Sequence, residues 1–160
     1  MTHYLLVGFV ITTSFIHLCP GCSPAYPWNS LTFLERASRA DTIVNGIVTN
    51  LYPIPEHPTS FPEAYIAEFE TDCIFRGTTI RKYVNITNMG YLTSCSRTLV
   101  DNGTEYIILL RMNDAGELEP DEINIQTAAF VADEEHWSDL GVLCNITAAP
   151  PVGEQVVHRT

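Results

Sequence analysis

The cysteines are the residues of this sequence with the widest range of possible chemistry. Five are present, at Cys19, Cys22, Cys73, Cys95 and Cys144, and the first two form a Cys-x-x-Cys pair within HLCPGCSP (17–24). A redox pair of this type belongs between a strand and a helix of a βαβ unit, whereas this one follows an apolar segment. A zinc site needs a second pair of ligands, but the remaining cysteines stand singly. A bacterial lipid anchor on Cys22 is disfavoured because Cys19 is a poor residue three positions before it.

The segment before this pair is typical of a secretory signal peptide. Residues 1–21 contain no Asp, Glu, Lys or Arg, and Tyr4 to Leu18 is almost continuously apolar. A membrane span needs about 20 apolar residues, and a buried helix would show a polar face, so a signal peptide is favoured. Cleavage after Gly21 would remove Cys19 and leave four cysteines for an oxidising compartment. We therefore expect Cys22 to be the first residue of a secreted protein, and four cysteines allow three pairings.

Three sequons follow this leader, at Asn85-Ile86-Thr87, Asn102-Gly103-Thr104 and Asn145-Ile146-Thr147. None has proline in the middle, as the glycosylation acceptor requires. Downstream of a signal peptide, the three together predict a secreted extracellular glycoprotein. They also predict that Asn85, Asn102 and Asn145 face solvent, since a glycan cannot be buried.

The acidic residues do not form the pattern of a catalytic or metal site. Asp133-Glu134-Glu135-His136 places acids beside a histidine, but acids also suit a helix N-terminus and no nucleophile signature accompanies them. The acids from Asp114 to Glu122 lack the spacing and glycine of a calcium loop, so a charged hairpin is predicted there. We therefore expect no enzyme activity, no cofactor and no intrinsic metal.

The charge balance excludes two classes of partner. The chain carries a net charge of −11 with only eight Lys and Arg residues among its 160. Nucleic acids and anionic membrane surfaces both bind clusters of Lys and Arg, so neither is an expected partner. No segment after the leader is long and apolar enough to predict a membrane span.

The elements that must position these residues are mostly strands. Five runs of β-type pattern are predicted, at Thr42–Asn50, Glu63–Phe75, Ile80–Met89, Thr104–Met112 and Glu122–Phe130. The run at Thr104–Met112 is the most apolar and is predicted to be central, and Gly46 predicts a bulge or barrel bend. The four prolines of Leu51–Pro62 predict a loop.

Two short helices flank the strands. Trp28–Ala40 has helical spacing, with Ser30 as a possible N-cap. Its apolar side is predicted to carry Leu31, Leu34 and Phe33, and its polar side Glu35, Arg36 and Arg39. The second helix is predicted at Asp133–Leu143, and the tail 148–160 is predicted to be disordered. Five regularly spaced strands with short helices favour a small barrel or sandwich, and an OB-like five-stranded barrel is the natural candidate.

Several stretches of the chain resemble a known family. The start CSPAYPWNSL and the later CSRTLVDNGTEYIILLRM resemble the netrin-like (NTR) module of the tissue inhibitors of metalloproteinases. ADTIVNGIVTNLYP, VNITNMGYLTSC, YIILLRMNDAGELEP and INIQTAAF are more closely similar to the N-terminal domain of secreted coiled-coil domain-containing 3 proteins. The resemblance covers most of Cys22–Cys144, and it implies a disulfide-stabilised netrin-like OB-fold domain at residues 22–147.

The resemblance also implies a binding edge at the new N-terminus. It implies that Cys22 bonds to Cys95, and that Cys73 and Cys144 then form the other disulfide. In the inhibitors, the free amine and carbonyl of the first cysteine chelate the zinc of the protease, and the next side chain, here Ser23, enters the adjacent pocket. Pro24 departs from the family's Cys-x-Cys start, and the position of the missing partner falls near Ala128-Ala129, so both members of one disulfide are absent.

Two functions follow from these observations. The first is a secreted, non-enzymatic module that binds an extracellular protein through an edge formed by Cys22, Ser23, Pro24 and Tyr26. The second is a metalloproteinase inhibitor in which Cys22 binds the zinc of its partner.

Overall fold

The computed structural model describes residues 28–54, 63–77, 80–92 and 97–142. Within these ranges the helices are α1 (Phe33–Arg39) and α2 (Glu134–Val142), with a short 3-10 helix at Ile123–Ile125. The strands are β1 (Thr42–Pro53), β2 (Ala64–Arg76), β3 (Tyr83–Tyr91), β4 (Arg97–Thr98), β5 (Glu105–Met112), β6 (Leu118–Pro120) and β7 (Ala129–Val131).

Five of these strands close into a barrel. The sheet runs in the order β1-β2-β3-β6-β5, and β5 pairs with β1 to complete the ring. All the pairings in this ring are antiparallel except β3 with β6, which are parallel at Ile86 and Leu118. The short strands β4 and β7 pair with β3 and β5 outside the ring. The protein is thus mainly β, and the prediction of an OB-fold-like five-stranded barrel with two short helices is confirmed at this level.

Gly46 marks a bend of β1, as predicted. The register between β1 and β2 shifts between Asn45 and Gly46. A Cβ atom on Gly46 would lie 2.1 Å from the carbonyl oxygen of Glu70 and 2.9 Å from the ring of Phe69. Only glycine lets the two backbones approach this closely.

The barrel interior is filled by alternate residues of its strands. Its largest fully buried side chains include Phe69, Ile86 and Ile108, and the alternation predicted for β2 is confirmed because Ala67, Phe69 and Thr71 are buried. β5 is the most buried strand, with Tyr106 to Leu110 all inaccessible or nearly so. It pairs with β1, β6 and β7, so its predicted central position is also confirmed.

A second apolar cluster lies outside the barrel wall, beneath both helices. Phe33 of α1 packs against Phe130 with ring centroids 4.6 Å apart, and Trp137 of α2 packs against Phe75 at 5.2 Å. Leu140 of α2 is also buried in this cluster. We call this part of the barrel's outer surface the covered face.

Arg36 is buried in the covered face, so its predicted position on the polar side of α1 is wrong. Its side chain is 6% exposed, donates from Nη1 to the carbonyl of Thr127 at 2.6 Å, and lies 4.5 Å from the ring centroid of Phe130. Burial lowers the pKa of the Arg36 guanidinium. The hydrogen bond and the ring contact offset the desolvation of the charge.

Helix α1 begins later than predicted. Thr32, rather than Ser30, is its N-cap: Thr32 accepts from the backbone N–H of Glu35, and the Glu35 carboxylate accepts from the backbone N–H of Thr32 at 2.8 Å. This reciprocal capping box satisfies two N–H groups that the helix itself cannot pair.

The predicted fifth strand, Glu122–Phe130, is wrong over most of its length. The segment opens with the 3-10 helix Ile123–Ile125, and only Ala129–Val131 forms a strand, β7. The fifth strand of the barrel is instead β6, whose three residues are too few to show a pattern. The predicted loop at Leu51–Pro62 also begins too early, because β1 continues to Pro53.

Candidate functional site

The predicted binding edge of Cys22, Ser23, Pro24 and Tyr26 lies outside the described residues, as do the signal peptide and the tail. Cys95, Cys144 and Asn145 also lie outside them. Trp28 is the first residue that the structure describes, and its side chain is 40% exposed. What the structure describes is therefore the part of the barrel to which the segment before α1 is attached.

Two side-chain amides hold that segment. Gln126 accepts from the backbone N–H of Leu31 at 2.7 Å and donates to the carbonyl of the same residue at 3.0 Å. Asn124 donates to the carbonyl of Asn29 at 2.9 Å and to the side-chain oxygen of Gln126 at 3.0 Å. Gln126 thus bonds Leu31 as a neighbouring strand would, with one donor and one acceptor. We call Asn124 and Gln126 the amide clamp.

The clamp is built on strained backbone. Asn124 has φ 58° and the next residue, Ile125, has φ 60°. Asparagine tolerates this left-handed conformation, whereas a β-branched residue rarely adopts it. Such strain persists only where the surrounding structure imposes it, and it concentrates at functional sites. The Ile125 side chain is also 46% exposed.

A groove of about 250 Å³ lies beside Ile125. Glu119 organises its polar side, because it accepts from Nε of Arg111 at 2.8 Å and from Nδ2 of Asn88 at 2.7 Å. Leu92 also lines the groove. Leu92 follows β3 and is three residues before Cys95 in the chain. The groove therefore lies between one end of the β3–β4 connection and the loop that carries Asn124, Ile125 and Gln126, which we call the clamp loop.

Cys73 is the only cysteine among the described residues, and its thiol is free there. It packs partly buried against the cluster beneath the helices, and its sulfur lies 3.8 Å from Oδ2 of Asp72. Burial, and then the charge of Asp72, raise the pKa of the Cys73 thiol. A thiol with a raised pKa is a poor nucleophile at neutral pH, so this environment suits packing better than catalysis.

The two described sequon asparagines are exposed. Asn85 lies on β3 between exposed Tyr83 and half-buried Thr87, and Asn102 lies in the turn before β5. Both positions agree with the expectation that these side chains face solvent.

Asp133 and His136 form a helix cap. The Asp133 carboxylate accepts from the backbone N–H of His136 at 3.0 Å and lies 2.7 Å from Nδ1 of its ring. These contacts, the backbone bond first, lower the pKa of Asp133. The His136 ring packs edge-on to Phe33 at 4.8 Å. This is the polar helix N-terminus that the sequence predicts.

The acids of the β5–β6 hairpin also form local contacts. Asn113 accepts from the backbone N–H groups of Ala115 and Glu117, which fixes the predicted turn. Across all the described ranges, no group of three or more His, Cys, Asp or Glu side chains is placed to hold a metal ion. Neither described helix has the length and apolar character that crossing a bilayer requires.

The amide clamp and Arg36 are the main described features that the sequence reasoning missed. Gln126 bonds a residue 95 positions away, and Arg36 one 91 positions away, so no local pattern reports either contact. The one local signal of this loop conformation is Asn124 itself, because asparagine adopts the left-handed conformation more readily than most residues. The β-type composition of Glu122–Phe130 favours a strand there instead.

A scan against protein-family models finds no family that matches the chain, and a search of curated proteins finds no significant match. These two comparisons therefore assign no family to the chain.

Proposed function

We propose that this chain is a secreted, non-enzymatic extracellular glycoprotein that binds a protein partner through a netrin-like module. The binding edge is formed by Cys22, Ser23, Pro24 and Tyr26, together with the exposed side chain of Ile125. The observation that carries the proposal is the amide clamp, which attaches the segment before α1 to a strained loop beside a groove.

The positions of the neighbouring segments support this edge. Cys22 precedes Asn29 by seven residues, which can span up to about 23 Å of extended chain. The clamp loop and Leu92 line the same groove, and Leu92 is close in sequence to Cys95. A bond between Cys22 and Cys95 would therefore join two segments whose attachment points already lie around one groove.

The second proposed disulfide has similar support. Cys73 packs in the cluster that contains Leu140 of α2, and α2 ends at Val142, two residues before Cys144. A bond between Cys73 and Cys144 would attach the end of α2 to β2. Non-reducing peptide mapping tests both pairings, and a Cys22–Cys73 peptide would contradict them.

Binding of the secreted protein to a panel of displayed extracellular proteins tests the proposed function. The variant Ser23→Glu/Tyr26→Ala is expected to lose at least tenfold in affinity for any partner found. Asp114→Ala, in the exposed β5–β6 turn, is the matched control and is expected to bind like the natural protein. Equal binding by all three would show that this edge is not the binding surface.

Gln126→Ala provides a second test of the same edge. The substitution removes both bonds to Leu31 and leaves only the bond from Asn124 to Asn29, so the N-terminal segment is less well ordered and must be ordered at a cost when the partner binds. We expect weaker binding while the circular-dichroism spectrum of the barrel is unchanged. Unaltered affinity would mean that the clamp does not serve the edge.

The same edge supports a narrower alternative, inhibition of a zinc metalloproteinase. The free amine and carbonyl of Cys22 would supply N and O ligands to the open coordination position of the partner's zinc. The clamp favours this function because ordering the segment beforehand lowers the entropy lost on binding.

N-terminal sequencing of the secreted protein tests this alternative directly. A mature chain that starts anywhere but Cys22, or a blocked amine at Cys22, excludes chelation. If Cys22 is the free N-terminus, titration of a metalloproteinase should show inhibition that adding one N-terminal alanine abolishes. Equal inhibition by both proteins would contradict the zinc-binding role.

A further inference from the structure

One outer face of the barrel carries two exposed tyrosines. Tyr83 of β3 is 57% exposed and Tyr52 of β1 is 43% exposed. The Tyr83 hydroxyl donates to Oε1 of Glu70 at 3.3 Å, and the Tyr52 hydroxyl donates to Oε2 of Glu68 at 3.2 Å. Both carboxylates belong to β2, so the rings lie on one side of the sheet. We call this surface of β1, β2 and β3 the open face.

The sequon at Asn85 lies on this open face. Successive side chains of a strand alternate, so Tyr83, Asn85 and Thr87 share one side of β3. Asn85 is paired across the sheet with Glu68, and Tyr83 is paired with Glu70. Within the described ranges, the side-chain amide of Asn85 makes no hydrogen bond, and the residue is exposed.

We propose that the open face is a docking surface for the chain's own N-glycan, whose first N-acetylglucosamine, attached to Asn85, packs on the ring of Tyr83. This inference rests on the proposed function, since it requires a secreted glycoprotein. In the attachment step, the side-chain nitrogen of Asn85 bonds to the anomeric carbon of a lipid-linked diphosphate sugar. The lipid diphosphate leaves and the amide loses one proton.

The spacing between Asn85 and Tyr83 suits an N-acetylglucosamine that is attached to Asn85 and packs on the Tyr83 ring. Side chains two positions apart on one strand lie about 7 Å from one another, which is the reach of the first sugar of a glycan. The aliphatic C–H face of a pyranose is attracted to the negative face of an aromatic ring. The hydrogen bond to Glu70 and the position of Lys82, 3.6 Å from the same carboxylate, restrain the Tyr83 ring.

Covalent attachment favours the chain's own sugar over a separate ligand. A tethered group binds with an effective concentration of about millimolar for a short link, so even a weak stacking contact is populated. Glu68 presents its carboxylate opposite Asn85 and can accept from the sugar's hydroxyl or amide groups. The open face thus offers an apolar ring and hydrogen-bond acceptors around the attachment point.

The sequon at Asn102 is an internal control. Asn102 lies in a turn, and the residue two positions before it is Val100, which is 6% exposed and packs in the barrel interior. Val100 carries no aromatic ring, so a glycan on Asn102 lacks the ring that Tyr83 supplies two positions before Asn85. A glycan on Asn102 is therefore expected to leave the stability of the barrel unchanged.

A thermodynamic cycle on the secreted protein tests the inference. Tyr83→Thr removes the ring and keeps a residue suited to a strand, while Tyr83→Phe keeps the ring and loses only the bond to Glu70. Each is measured with Asn85 intact and with Asn85→Gln, and Asn102→Gln is the matched control for loss of a glycan. Thermal unfolding is followed by circular dichroism, and intact mass gives glycan occupancy.

We expect Tyr83→Thr to lower Tm by about 3–5 °C more in the glycosylated protein than in the Asn85→Gln background. Tyr83→Phe should retain this coupling. The coupling should also survive endoglycosidase H treatment of high-mannose protein, which leaves a single N-acetylglucosamine on Asn85.

The other outcomes overturn the inference in distinguishable ways. If the protein is secreted with a glycan on Asn85 and the cycle shows no coupling, the docking inference fails while the proposed glycoprotein stands. If the chain is not secreted, both fail. If it is secreted and Asn85 carries no glycan, only the docking inference fails. Loss of partner binding by Tyr83→Thr without any coupling would instead assign the open face to a protein partner.

Discussion

The covered face and the open face are two regions of the barrel's outer surface, and their apolar side chains differ in exposure to solvent. On the covered face, Phe33 and Leu140 reach down from the helices and are almost fully buried. On the open face, Tyr52 and Tyr83 keep about half of their surface in solvent. The covered face lies beneath both described helices, whereas the open face carries a sequon and neither of these two helices packs on it. The difference predicts that packing on the covered face contributes more to stability than the side chains of the open face.

The largest expected difference between the faces is in packing. Phe33→Ala should lower the free energy of unfolding by about 3–5 kcal/mol, because it empties a buried position beside Phe130. Tyr52→Ala, in unglycosylated protein, should cost less than about 1 kcal/mol, since it removes an exposed ring. Urea unfolding of both variants measures the contrast. Similar losses would show that the open face contributes as much packing as the covered one.

A smaller effect is expected from the buried charge of the covered face. Arg36→Ala should cost about 2 kcal/mol, because it leaves the carbonyl of Thr127 without its donor and removes the contact with Phe130. Arg39→Ala is the control, since Arg39 belongs to the same helix but is exposed. If the two substitutions destabilise equally, burial of Arg36 is not the cause.

The covered face should also be the acid-sensitive one. Hydrogen bonds at the starts of the helices lower the pKa values of Asp133 and Glu35 below their ordinary 3.8 and 4.5. A lowered folded-state pKa gives stability that is present above the ordinary value and is lost as pH falls through the folded-state value. Tm should therefore fall below about pH 4.5, and less steeply in Asp133→Asn, which keeps a capping side chain. A Tm series from pH 7 to pH 2.5 measures both slopes, and identical slopes would exclude Asp133 as a contributor.

The smallest expected effect concerns Asp121, a partly buried carboxyl that follows β6. Burial raises its pKa above 3.8. A raised folded-state pKa means that stability is fully present at low pH and is lost as pH rises through the folded-state value. Asp121→Asn should therefore raise Tm slightly at pH 7 and leave it unchanged at pH 3. A loss of Tm at pH 7 would indicate that the ionised carboxylate is stabilising.

The faces differ in how far the sequence predicts them. The alternation in β2 and the apolar run of β5 identify both strands because each residue's side is fixed by its neighbours. The same alternation places Asn85 outward. On the covered face, by contrast, Arg36 is buried through a carbonyl and a ring from distant segments, so a local pattern places it in solvent.

The candidate site is the least predictable part for the same reason. Its N-terminal residues are suggested by cysteine count and resemblance, but the clamp that holds the segment after them joins residues 95 positions apart. Strand β6 likewise cannot be recognised from the sequence, because its three residues form a strand only by pairing with β3 and β5. Local periodicity predicts elements, while closure of the barrel and attachment of its edge depend on long-range contacts.

The pairing of β1 with β5 has a consequence for the order of synthesis and modification. Asn45 bonds to the carbonyl of Tyr106, 61 residues later, so the ring cannot close until β5 has been made. Contacts of such high sequence separation form slowly. If the chain enters the secretory pathway from its N-terminus, as proposed, Asn85 would be translocated while the barrel is still open. The glycan would be attached to Asn85 before β5 pairs with β1 and closes the barrel. A glycan that packs on Tyr83 would therefore affect the rate of folding as well as the final stability.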